Sequence, residues 1–169
     1  MPYEIIETTK IEDVVIAPKF ADNAIATGNR SVAIAAGVGS QARANYKDAV
    51  AIAIGDETAA IAAQPQTMAI GNAGGSLTVV KGVIGSWLVL TDWDTYGHLN
   101  NVITVKVDGT LIKPDVCYTF QKGCIQPAYV EDRNKYPIVE VTTNLKELDK
   151  SAAEAKGLYI PHNETSNHG

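Results

Sequence analysis

The chain has 169 residues with 14 lysines and arginines against 19 aspartates and glutamates, a net charge of −5, and is 46% hydrophobic but only 7% aromatic. Its length suits one ordinary domain or two small ones. No cluster of five or more basic residues is present, which removes the electrostatic footprint of a nucleic-acid binder, and no apolar run approaches the roughly 20 residues that span a bilayer.

The opening stretch "MPYEIIETTK" is acidic and mixed. A secretory signal is basic and then apolar, so synthesis in a cytoplasm without export by the usual route is expected. Residues 1–13, with Ile5 and Ile11 among polar neighbours, are expected to form an N-terminal cap or docking arm.

Residues 14–85 carry a repeat. Alanine stands at 24, 33, 42, 51, 60 and 69, nine residues apart, and two positions later come Ala26, Ala35, Ala44, Ala53, Ala62 and Gly71. The residues between are Ile25, Ile34, Arg43, Ile52, Ile61 and Ile70. Degenerate copies extend it, Val15-Ile16-Ala17 before and Thr78-Val79-Val80 and Trp87-Leu88-Val89 after. Nine residues turn a helix two and a half times, so successive copies on a helix would face opposite sides. Gly28, Gly37, Gly55, Gly74, Gly75 and Pro65 punctuate the phrase instead. Strands of about five residues and turns of about four fit, and strands stacked at this period make a β-solenoid.

A second modulation doubles the period. The residue before each phrase and its central residue read Val14/Ile16, Val32/Ile34, Val50/Ile52 and Met68/Ile70 in one series, but Asn23/Ile25, Gln41/Arg43 and Ala59/Ile61 in the other. Each rung therefore has 18 residues and two unlike strands. Side chains alternate along a strand, and a buried unpaired arginine is very costly, so the parity of Arg43 is expected outside and the alanines between closely spaced sheets. The opposite assignment, Val/Ile inside and alanine outside, stays open at this point. With alanine inside, Val14, Ile16, Val32, Ile34, Val50, Ile52, Met68 and Ile70 form an apolar ladder on the outside of one sheet, and patches of that kind mark interfaces. The expected partner is another copy of the chain.

Residues 86–130 read as a small antiparallel meander that caps the solenoid. "SWLVLTDWD" and "NVITVKV" are strands separated by a turn at Thr95-Tyr96-Gly97, Asp108-Gly109 is a two-residue hairpin signal, and "TLIKPDVCYTF" and "CIQPAYV" follow around Lys122-Gly123. Residues 131–169 are expected to hold a linker, a short strand "IVEVTT", a helix over 145–156 capped by Asn144 and Glu147 and closed by Gly157, and a polar tail. The fold class is mainly all-β: a two-sheet solenoid, an antiparallel β-meander and one short C-terminal helix.

Residues that carry chemistry are sparse. Cys117 and Cys124 read as thiols at least partly buried, not as a disulfide framework or zinc site. No metal-ligand spacing joins His98, His162 or His168 to another ligand. Gly71, Gly74 and Gly75 lack the spacing of a phosphate loop, and Asp48 and Asp56 do not recur as calcium-binding rolls require. No nucleophile–base set stands out, so no enzyme activity, cofactor or metal is expected. Asp92 and Asp94 flank Trp93, most simply as a charged strand end. Asp92, Trp93, Tyr96 and His98 are also a candidate contact surface for a glycan or peptide.

Two resemblances attach to these residues. "SVAIAAG" and "DAVAIAIG" resemble head repeats of trimeric autotransporter adhesins, whose β-rolls associate as trimers, over about residues 23–72. Those repeats are usually shorter than eighteen residues. "GSWLVLTDWD" with "VITVKVDGTLIKPDVCYTFQKG" is similar to a family seen in phage and prophage proteins. Gly85, Trp87, Val89, Leu90, Lys106, Val107, Asp108, Gly109, Ile112, Lys113, Pro114, Asp115 and Tyr118 match its pattern. The resemblances imply a trimeric solenoid in a phage setting and supply no mechanism. The expected function is that of a virion structural protein, an auxiliary capsid or head-fibre component made in the host cytoplasm, with other virion proteins as partners and neither nucleic acid nor membrane. The alternative is a phage-encoded module that captures a host factor or small molecule at subunit interfaces.

Overall fold

A computed structural model of the chain describes residues 3–72, 78–137 and 139–140. The protein is a two-sheet β-solenoid of about four turns. Strands β1 (Ile5–Thr8), β3 (Asn23–Ala26), β5 (Gln41–Ala44), β7 (Ala59–Ala62) and β9 (Val79–Gly82) stack in one sheet. Strands β2 (Val14–Ala17), β4 (Val32–Ala35), β6 (Val50–Ala53), β8 (Met68–Gly71) and β10 (Trp87–Trp93) stack in the other. All these stacking contacts are parallel, and from β1 to β8 they repeat at 18 residues, as in Ile34 opposite Ile52 and Ala24 opposite Ala42.

Eleven alanines of the repeat, Ala24 to Ala69, are fully buried between the sheets, whereas Val14 and Ile16 on the other parity are 53% and 47% exposed and Arg43 is exposed. This settles the two assignments of the faces. Only methyl groups fit where four-residue strands face each other this closely, and the longer side chains point away.

The corners have a code of their own. Glu12, Ala21, Arg30, Asp48, Glu57 and Gln66, separated by multiples of nine residues, adopt φ between 55° and 64°. This left-handed conformation costs about 1–2 kcal/mol outside glycine. The following residue offsets part of that cost. The buried hydroxyls of Ser31, Ser40, Thr58, Thr67 and Ser86 each donate to the carbonyl three residues back, at 2.5 to 2.7 Å. The equivalent positions after Glu12, Ala21 and Asp48 hold Asp13, Asp22 and Ala49, which have no hydroxyl. At Gly28 and Gly37 a Cβ would collide with the carbonyls of Lys10 and Lys19 one rung below, so the corner backbones nest only because these residues are glycine.

Three features differ from the sequence expectation. First, residues 1–13 are not a separate arm throughout, because β1 is already a rung strand with Ile5 opposite Asn23. Ile6 and Thr8 occupy the inward slots that alanine fills above them. Second, the repeat changes step after Gly71. Val80, not Thr78, lies opposite Ala60, and Leu88, not Trp87, lies opposite Ala69. Two residues are added before β9 and one is lost between β9 and β10, so Leu88 and Leu90 point into the core and Trp87 and Val89 point out.

Third, the cap is not one meander. β10 forms a hairpin with β11 (Leu99–Lys106), which extends its sheet. β12 (Cys117–Gln121) pairs antiparallel with β9 and with β13 (Cys124–Ala128), which extend the other sheet and meet a two-residue β14 (Val139–Glu140). Asp108-Gly109 therefore opens a crossover between sheets, not a hairpin. Asp108 Oδ1 accepts the amides of Thr110 at 2.8 Å and Ile112 at 3.1 Å, which fixes a tight loop without requiring its flanking strands to pair. These donors, the Thr110 amide foremost, hold the Asp108 carboxyl at a pKa of about 2. The Tyr118 hydroxyl accepts the Lys113 amide at 2.7 Å, the Lys113 ammonium donates to the Gly109 carbonyl at 2.9 Å, and Val107, Ile112 and Tyr118 are buried. The residues of the "KVDGTLIKPDVCY" stretch thus close the top of the core.

Among the described residues there is no α-helix, only a 3-10 turn at Arg133–Lys135. The helix expected over 145–156 and the tail lie outside the described residues, as do Gly74 and Gly75.

Candidate functional site

Two surfaces remain once the core and corners are accounted for. The first is the outer face of the β2–β4–β6–β8 sheet. Register places Val14, Val32, Val50 and Met68 in one column and Ile16, Ile34, Ile52 and Ile70 in a second. The changed step adds Trp87 above Met68 and Val89 above Ile70. Sequence reasoning misses these two because it assigns them inward slots. The column ends where Lys106 Nζ lies 5.8 Å from the Trp87 ring, a cation–π contact. No charged side chain interrupts either column from Val14 to Val89. The opposite sheet carries Asn23, Gln41 and Arg43 on its outer face, with Arg43 Nε donating to Asn45 Oδ1 at 2.6 Å, although Ile61 and Val79 higher on that face are buried.

The second surface is a cleft of about 440 Å³ at the cap. In the lower rungs a corner ties sheet to sheet at each end. Above them β10 reverses into β11 and β12 reverses into β13, both at the end where β8 finishes and β9 begins. The two hairpin tips face each other there, and the cleft lies between them.

The cleft divides the proposed contact residues. Asp92 points inward in line with Leu88 and Leu90, is 7% exposed and lines the cleft. Trp93 points the other way along the strand, and its Nε1 donates to Thr91 Oγ1 at 2.9 Å. Tyr96 is 84% exposed in the hairpin turn, and His98 sits beside it with ring centroids 6.4 Å apart. Asp94 organises that turn. Its Oδ1 accepts the amides of Tyr96 and His98, its Oδ2 lies 3.0 Å from His98 Nδ1, and the His98 amide foremost keeps its carboxyl below the usual aspartate range. Asp92 and Trp93 both border the cleft, while Tyr96 and His98 do not. Asn100, Gln121 and Lys122 border it too and belong to no motif visible in the sequence, since only the hairpin geometry brings them together.

Cys117 and Cys124 are both half-buried free thiols, and burial pushes the Cys117 thiol up, partly opposed by Lys81. Among the described residues no group of three or more His, Cys, Asp or Glu side chains is placed to hold a metal ion, and no helix is long and apolar enough to cross a membrane.

The fold places the chain in the class of two-sheet β-solenoids. Comparison with family models, with curated proteins and with solved structures finds no match.

Proposed function

We propose that this chain is a structural component of a phage virion, a trimeric auxiliary capsid or head-fibre protein that works by self-assembly and docking and without catalysis. The observation that carries the reading is the uninterrupted apolar ladder from Val14 to Val89 on one sheet. Contiguous exposed apolar patches beyond a few hundred Å² are rare on monomers and mark contact surfaces. A flat, self-similar ladder suits a symmetric contact with further copies of itself. The resemblance of the repeat to adhesin heads favours three copies. The resemblance of residues 85–118 to phage proteins favours the virion, where other virion proteins are the docking partners.

Mass spectrometry of purified particles tests the setting. The chain is expected among the virion proteins at a stoichiometry that is a multiple of three. A second reading, a phage-encoded binding module, is favoured by the cleft beside Asp92. It expects the chain in infected cells and not in purified particles.

A further inference from the structure

The geometry points to a saccharide-binding site in the cleft between the two hairpin tips, independent of the assembly reading. Three observations converge. The volume, about 440 Å³, lies in the small-ligand range of about 300–1,000 Å³. Asp92 is more than nine-tenths buried, lines the cleft, and has no hydrogen-bond or ion-pair partner among the described residues. Its neighbour Thr91, by contrast, is engaged with the Gly71 carbonyl and Trp93. Its carboxylate therefore faces the cleft with its acceptor capacity free, and hydrogen bonds to an ionised carboxylate are the stronger kind.

The rest of the lining selects the class of donor. Asn100 and Gln121 supply amides that donate and accept, and Lys122 supplies a further donor. Val80, Leu90 and Phe120 form an apolar part of the wall. Vicinal hydroxyls donate to a carboxylate and accept from amide and ammonium groups at once, while the C–H face of a pyranose ring packs on apolar surface. A simple amine would use Asp92 alone and meet Lys122 as a like charge. A neutral hexopyranose or short oligosaccharide uses every group named. Residues 73–77 lie outside the described residues.

The test is calorimetric titration of the full chain with glucose, galactose, mannose, N-acetylglucosamine and their disaccharides, with putrescine as the amine control. At least one saccharide is expected to bind with a Kd of about 10 mM or tighter. Asp92→Asn keeps the side-chain shape and is expected to weaken that binding about tenfold, as loss of a charged hydrogen-bond partner does. Gln121→Ala, at an exposed position that does not endanger folding, is expected to weaken it as well. Absence of saccharide binding up to that range, binding of putrescine alone, or binding unchanged in either variant overturns the assignment.

Discussion

Ile34 lies directly opposite Ile52 on the outer face of its sheet, while their neighbours Ala33 and Ala51 are paired and fully buried behind them. One strand pair thus presents two surfaces of opposite use, a methyl-lined seam inside and an apolar ladder outside. Ile34→Asp is expected to break assembly and leave the fold intact, because the side chain makes no contact in the seam. Light scattering should show single chains, with an unchanged circular dichroism spectrum. Ile25→Asp, on the opposite sheet, should leave assembly largely intact. Equal effects at the two positions would undo the assignment of the interface to the Val/Ile sheet.

The seam itself tolerates no added volume. Ala51 stacks between Ala33 and Ala69 with no exposure. Ala51→Leu is expected to cost about 1–3 kcal/mol or more through overpacking, read as a lowered denaturation midpoint. An unchanged midpoint would mean that the sheets separate more easily than their alanine lining implies.

The corner hydroxyls make a paired prediction. Thr67 donates to the Gln64 carbonyl at 2.6 Å, and Thr67→Val, close in shape, should lose about 1 kcal/mol of stability. Ala49 holds the equivalent position without a hydroxyl, so Ala49→Ser should gain up to about 1 kcal/mol by donating to the Tyr46 carbonyl. Chemical denaturation of both variants checks the pair. A loss in the second variant would show that the hydroxyl is not what stabilises the corner.

Asp108 makes the cap sensitive to acid. Its folded pKa, about 2, lies below the ordinary aspartate value of about 4, so its contribution is present above about pH 4 and is lost as the pH falls through 2. Hydrogen exchange at the Thr110 and Ile112 amides should accelerate relative to the intrinsic rate over that window. In Asp108→Asn the acceleration should be absent, because the amide oxygen accepts at every pH. Wild-type protection that is flat from pH 4 to 2 would contradict the role given to this carboxylate.

The solenoid was legible because its constraint is periodic: only small residues fit the seam, so alanine recurs at nine, and Arg43 marks the outward parity. The corner hydroxyls obey the same period, but serine and threonine share the position with aspartate and alanine, which disguises it. What escaped the repeat is its interruption. The change of step after Gly71 moves Trp87 and Val89 from core to surface and turns Asp92 inward, and neither composition nor spacing marks it. Asp108-Gly109 misled for a chemical reason, since an aspartate that accepts the amides ahead of it builds a crossover as readily as a hairpin. The cleft was illegible because Asp92, Asn100 and Gln121 meet only after two hairpins from different sheets turn at the same end.

The most direct test of the central claim is the mass of the purified chain in solution by multi-angle light scattering at micromolar concentration. A single species of three chains is the expected result. A monodisperse monomer, with the ladder from Val14 to Val89 left open to water, would contradict the account.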